Sequence, residues 1–355
     1  MIMSCRLIIR SDASETIGAG HVMRCLALAK AWVAQGGALD EPQYQVMFVS
    51  AEITEGLKQQ IAKEGHCFHV INAARGSRED ADSTRDLASG WGADVVVLDG
   101  YCFKLTYQSA LRSEPFALVL YDDQSKEEAF DCDVLVNQNV SALAEYYIPR
   151  APNSTLLMGA EYASLRPEFL ELRKHPRKYS KAGKVLVSLG LSDTTETLKH
   201  VLMGLDRVSD DQLQIDVLVG AGNLSELESF SAGMRHQIKF IATVTNFAER
   251  LFKSDMAVLA AGGTMSEAAC IATPVIIVCI ADNQEPAYRE FVRRGAALDG
   301  GMAEDITPES FLAVATRILG SAELRTDCAA RARAMVDGRG ALRMVDALKY
   351  LRTQE

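Results

Sequence analysis

Three short polar clusters stand where apolar runs break off, and each is built from residues that handle protons, phosphate oxygens or sugar hydroxyls. The first is Gly18-Ala19-Gly20-His21, with Arg24 close behind. An apolar run over residues 7–9 leads into it, and Val22, Leu26, Ala29 and Val33 follow at helical spacing. The stretch reads as a strand, a glycine turn and a helix, with His21 and Arg24 at or inside the first turn. Unpaired N–H groups at a helix start attract anions. A histidine placed there can move protons on a phosphorylated ligand. A glycine turn with a solvated histidine explains the same residues, and for this stretch alone that plainer reading is the better one.

The second cluster is Gly262-Gly263-Thr264-Met265-Ser266-Glu267, again between a strand and a helix. Its glycines allow a sharp turn that presents Thr264 and the next N–H groups, Met265 included, to phosphate oxygens. Glu267, about one turn on, suits two ribose hydroxyls as well as it suits the dipole of the helix start. The third cluster, Asp282-Asn283-Gln284, follows the apolar run 274–281. Neutral amides there can hold sugar hydroxyls or a water, or can cap the next helix. Two more strand ends carry polar residues. Gly190 and Ser192, in Ser188-Leu189-Gly190-Leu191-Ser192-Asp193, offer a further phosphate contact. In Asp99-Gly100-Tyr101 the acid is a candidate substrate contact, and the tyrosine could serve a ligand or simply pack with its hydroxyl wet. Asp122 and Asp123 could bind a metal, although acids at strand ends are more often loop caps.

Elements that alternate strand and helix must position these clusters. In the first half, apolar runs near residues 7–9, 44–50, 67–71, 93–99, 116–123 and 133–139 each end in polar residues, as parallel strands do where they open onto a crevice. A basic, proline-containing stretch follows, and a second alternating series begins at 184. The expectation is an α/β protein with two doubly wound parallel sheets. The expected division is a first domain over 1–168, a connector over 169–183 and a second domain over 184–336. A terminal helix over 337–355 could return to the first domain. Two such domains put a cleft between the carboxyl ends of their strands.

Composition narrows the function. A chain of 355 residues, 48% hydrophobic and 24% charged, is an ordinary globular protein long enough for two cores. Its formal net charge of −10 argues against a nucleic-acid partner. No apolar run approaches a membrane span and no signal-peptide pattern opens the chain, so a cytoplasmic location without membrane insertion is expected. The eight cysteines include no CxxC pair, and Cys25 beside His21 reads as core packing. Gly18-Ala19-Gly20 and Gly220-Ala221-Gly222 both lack the third glycine of a dinucleotide fingerprint, so no cofactor is expected. No metal cluster is visible in the sequence.

The clusters have a combined meaning. Gly18 to Arg24, Gly262 to Glu267 and Asp282 to Gln284 stand in order with Asp99-Gly100-Tyr101, Tyr121-Asp122-Asp123, Val136-Asn137-Gln138-Asn139 and the run from Gly159 to Pro167. Together they resemble the nucleotide-sugar hydrolases of pseudaminic acid biosynthesis, which remove UDP from a UDP-linked 2,4-diacetamido-2,4,6-trideoxyhexose. That family is similar in turn to the MurG-type glycosyltransferases of the GT-B fold. Each motif is weak alone, but order and spacing over most of the chain make the resemblance specific. It implies a GT-B-like pair of Rossmann-like domains facing across a cleft. His21 corresponds to the histidine thought to activate water, and Tyr101 and Asn283 to residues near the sugar and that water. Gly263, Thr264 and Glu267 match the uridine diphosphate site, with Glu267 on the ribose. Leu191 departs from the family's usual glycine and adds bulk at that turn.

The chemistry is coherent without the family. A nucleoside diphosphate leaves as a stable anion, so a paired acid carboxylate is not required. What is needed is a base for water, which His21 can supply, and donors for the departing diphosphate. The turns after Gly190 and Gly263, with Arg24, can supply those. The expected reaction is metal-independent hydrolysis of a UDP-sugar to free sugar and UDP. Its rivals are a glycosyltransferase that uses another acceptor and a sensor that binds without turnover.

Overall fold

The computed structural model describes residues 5–14, 16–36, 44–123, 126–190, 194–208, 212–242 and 246–352. The chain divides into two compact units, one of residues 1–166 with 338–355 and the other of residues 167–337.

Unit 1 runs β1 (Cys5–Ser11), α1 (Gly20–Val33), β2 (Tyr44–Ser50), α2 (Glu55–Lys63), β3 (Cys67–Val70), α3 (Arg78–Trp91), β4 (Val95–Asp99), α4 (Leu105–Leu111), β5 (Ala117–Tyr121), β6 (Val134–Asn137), α5 (Ala144–Tyr147) and β7 (Thr155–Met158). Its seven strands are all parallel, in the order β3-β2-β1-β4-β5-β6-β7. Strands buried on both faces become continuous apolar runs. β4 demonstrates this: Val95 and Val97 enter one core, Val96 and Leu98 the other. Ser11 pairs with Asp99 and Asp99 with Tyr121, so three polar strand ends lie level at one edge of the sheet.

Unit 2 runs α6 (Pro167–Arg173), β8 (Lys184–Ser188), α7 (Thr195–Asp206), β9 (Gln214–Leu218), α8 (Leu224–Ser231), β10 (Gln237–Ile241), α9 (Phe247–Lys253), β11 (Met256–Ala260), α10 (Thr264–Cys270), β12 (Val275–Cys279), α11 (Glu285–Arg293), β13 (Leu298–Met302), α12 (Pro308–Gly320) and α13 (Ala322–Met335). Its six parallel strands have the order β10-β9-β8-β11-β12-β13. The chain then returns to unit 1 as α14 (Gly340–Arg352), whose Met344, Val345 and Leu348 join the same core as Val22, Leu26 and Ala29 of α1.

Several elements differ from the sequence-based expectation. The stretch 169–183 is not a free connector. Its arginines are tied to unit 2: the Arg173 guanidinium donates to the carbonyls of Cys270 (2.8 Å) and Val336 (2.7 Å), and Arg177 donates to Thr273 Oγ1 (2.9 Å). Strand β7 is additional to the six runs expected in the first half. The last strand, at 298–302, is disguised in the sequence by two glycines. A Cβ on Gly300 would meet the Ile277 carbonyl oxygen at 2.7 Å, and Gly301 has φ +97° beside a register shift.

Candidate active site

In each sheet the strand order reverses once, between β1 and β4 in unit 1 and between β8 and β11 in unit 2. Open parallel sheets bind ligands at the carboxyl ends of the strands beside that point. The sequence-selected clusters fall there in both units.

In unit 1 the loop after β1 closes with Gly18 at φ +80°, its N–H bonded to the Ser14 carbonyl at 2.8 Å, and α1 then starts at Gly20. His21 is thus the second helical residue, 8% exposed, directly before the end of β4. Its Nδ1 lies 2.6 Å from Asp99 Oδ1. Arg24, one turn along, forks onto the same carboxylate at 2.6 Å to each oxygen. It reaches Asp123 as well, at 2.8 and 2.9 Å, and lies 4.5 Å over the Tyr121 ring. The Cys25 thiol also donates to Asp99, at 3.2 Å. Tyr101, 48% exposed, sets its ring edge-on to His21 with centroids 5.0 Å apart.

The electrostatics assign the protons. Burial alone would push the Asp99 carboxyl up, but the Arg24 guanidinium and His21 outweigh it and hold the group well below the usual carboxylate range. An ionised carboxylate only accepts, so His21 Nδ1 carries the hydrogen and donates it to Asp99. The Arg24 nitrogen 3.2 Å from the same Nδ1 is then a near neighbour, not a donor to it. In the neutral ring that tautomer has its lone pair on Nε2, which makes no hydrogen bond to any described residue. Burial, followed by the charge of Asp99, pushes the Cys25 thiol well up, so it is a donor here and not a nucleophile.

Two expected roles change. Asp99 was expected to touch substrate, yet it is fully buried and its two oxygens serve His21, Arg24 and Cys25. Arg24 was expected to face the diphosphate, and it is instead held by two carboxylates. Asp122 and Asp123 do not form a joint metal pair: Asp122 accepts from the Tyr147 hydroxyl at 2.8 Å while Asp123 accepts from Arg24. Among the described residues no group of three or more His, Cys, Asp or Glu is placed to hold a metal ion.

In unit 2 three turns gather at adjacent strand ends. Gly190, at φ +89°, lies two residues past β8, and a Cβ there would lie 3.8 Å from Ile280. Leu191, Ser192 and Asp193 lie outside the described residues, so the expected Ser192 contact and the effect of Leu191 have no structural account. After β11, Gly262 and Gly263 are exposed, and Thr264 opens α10 half-buried with Glu267 one turn on. Met265 was expected to touch ligand. Its side chain is 1% exposed and its N–H is spent on the Gly262 carbonyl at 3.0 Å, so it packs inward. After β12, Asn283 is exposed on a short turn, while Gln284 accepts the Ile280 N–H at 3.3 Å. The Gln284 amide nitrogen lies 4.0 Å from the Cβ position of Gly262, which brings these two turns side by side. Neither amide caps α11.

Sequence reasoning missed that Asp99, Asp123 and Tyr121 act behind His21 and Arg24. Their motifs were visible, but the pairing of β4 with β1 on one side and β5 on the other, which brings them together, was not.

No protein-family model matches the chain. A structure of MurG from Acinetobacter baumannii aligns with TM-score 0.69 and 16% identity, over 97% of this chain and 99% of that one. The fold is GT-B-like. Other chains of this GT-B-like class were solved with UDP or a UDP-sugar bound. Among curated proteins, the spore coat polysaccharide biosynthesis protein SpsG of Bacillus subtilis is 27% identical over 240 residues, 67% of this chain and 70% of that protein. The UDP-2,4-diacetamido-2,4,6-trideoxy-beta-L-altropyranose hydrolase of Campylobacter jejuni is 23% identical over 306 residues, 82% of this chain and 97% of that protein. Relatives and fold neighbours together support an enzyme acting on UDP-sugars. Among the described residues no helix is long and apolar enough to cross a membrane.

Proposed function

We propose that the chain hydrolyses a UDP-sugar, releasing UDP and free sugar, with His21 as the base that activates water. The hydrogen bond from His21 Nδ1 to Asp99 carries this reading, because it fixes the tautomer that leaves Nε2 basic. In the proposed step, Nε2 takes a proton from water as its oxygen attacks the anomeric carbon. The bond from that carbon to the diphosphate breaks, and UDP leaves with the electron pair. Asp99 stabilises the imidazolium that forms, and Arg24 positions Asp99 instead of meeting the diphosphate. No step calls for a metal ion. Tyr101, against the His21 ring, borders the sugar, with Asn283 as a second neighbour of the water.

The leaving group belongs to unit 2 in this proposal. Backbone N–H groups of the turns at Gly190 and Gly263, with the Thr264 hydroxyl, hold the diphosphate. Glu267 accepts the ribose hydroxyls, and Gln284 stiffens the floor beside Gly262. The Campylobacter jejuni relative supports a UDP-linked 2,4-diacetamido-2,4,6-trideoxyhexose as the substrate, and the Bacillus subtilis relative supports a place in surface-polysaccharide synthesis.

The test is incubation of purified protein with that UDP-sugar and no acceptor. Equal amounts of free sugar and UDP are expected. UDP formation that begins only when an acceptor is added would point to a transferase instead. Binding without turnover would point to a sensor.

A further inference from the structure

Beyond the proposed active site, unit 2 holds a cavity of about 450 Å³ whose lining includes the cations Arg173, Lys174, Arg177 and Arg333, with His175 beside them. It lies at the amino ends of the strands, beside Ser254 before β11 and Thr273 before β12, opposite the turns considered above. The cluster is organised. Arg173 bridges the carbonyl ends of α10 and α13 through Cys270 and Val336, and Arg333 returns a bond to the Arg173 carbonyl at 2.8 Å. Arg177 is pinned to Thr273 Oγ1 at 2.9 Å and the Ser254 carbonyl at 2.5 Å, and it stacks 5.0 Å from the Phe252 ring.

Helix capping accounts for those carbonyl contacts but not for the charge. Among the described residues Arg173, Arg177 and Arg333 make no ion pair, and only Lys174 has a carboxylate partner, Glu171, at 2.7 Å on the surface. Asp255 stands near Arg177, but its carboxylate accepts the Gly183 and Lys184 amides, at 2.8 Å each. Burial lowers the Arg333 guanidinium, and the charge of Arg173 lowers it further. Like charges gathered and half-dehydrated without a counter-charge are costly, and a bound anion would relieve that cost.

We propose that this cavity binds a soluble phosphate-bearing small molecule, with Arg333, Arg177 and Lys174 as its charged donors and Tyr179 at its wall. The volume exceeds inorganic phosphate and suits a phosphate carried on a larger group.

The test is calorimetric titration of the full chain with pyrophosphate and with glucose 1-phosphate, in wild type and in the Lys174→Gln/Arg333→Gln double variant. Folding is checked by thermal melting, and Lys174→Arg/Arg333→Lys serves as the charge-keeping control. The proposal expects saturable wild-type binding, weakened about tenfold or more in the Gln variant and largely retained in the control. Absence of binding, or binding that the Gln substitutions leave unchanged, overturns it. So does co-sedimentation with anionic phosphatidylglycerol vesicles without any response to either soluble phosphate.

Discussion

In the proposed step His21 is a useful base because Asp99 faces it, and Asp99 stays ionised because Arg24 and His21 face Asp99. Replacing Asp99 with Asn keeps the shape and removes the charge. The variant should lose about 10²–10⁴-fold in kcat and about 3–5 kcal/mol of stability, since Arg24 keeps one carboxylate in place of two. Steady-state kinetics and urea titration check the two effects. The pH dependence has a definite sign. Asp99 is depressed in the folded chain, so its contribution is complete above the unfolded value of about 4 and is lost as pH falls through the lower folded one. The stability gap between wild type and Asp99→Asn should therefore close in acid, where both side chains are neutral. The place of His21 at a helix start was legible from its glycine turn. The duty of Asp99 was not, because Asp99-Gly100-Tyr101 in sequence looks like a strand end offered to ligand, and burial decides otherwise.

At the scale of elements, α14 matters because it completes the core behind α1, the helix that carries His21. It reaches that position through Gly340, where an added Cβ would sit on the Ala163 carbonyl and the Tyr162 backbone. Gly340→Ala should cost about 1–3 kcal/mol by overpacking, seen as a lower urea midpoint with unchanged slope. Strands buried on both faces, such as β4 and β11, were readable as apolar runs. Elements whose stabilisation comes from elsewhere were harder to see. Strand β13 is broken by two glycines that only its packing on β12 explains, and α6 with the arginines after it looked like a connector until their carbonyl partners were known.

Across the whole molecule, the proposed base His21 belongs to unit 1 and the proposed nucleotide site to unit 2. UDP should therefore protect the protein through residues that play no part in activating water. At about 100 times its dissociation constant, UDP should stabilise the binding unit by about 2.7 kcal/mol, read as a rise in melting temperature. Glu267→Gln should reduce that rise, and His21→Ala should leave it in place. Two parallel sheets were evident from the alternating runs. The strand orders, which put each polar cluster beside the reversal point of its sheet, emerged only from the fold.

His21 is proposed to perform the chemistry and not merely to line the site. The most direct measurement is a single-turnover reaction of wild type and His21→Ala with the UDP-linked diacetamido sugar and no acceptor, alongside UDP binding to both proteins. Wild type should give free sugar and UDP in equal amounts, and the variant should react about 10²–10⁴-fold more slowly with unchanged UDP affinity. A His21→Ala protein that turns over at the wild-type rate would contradict that role.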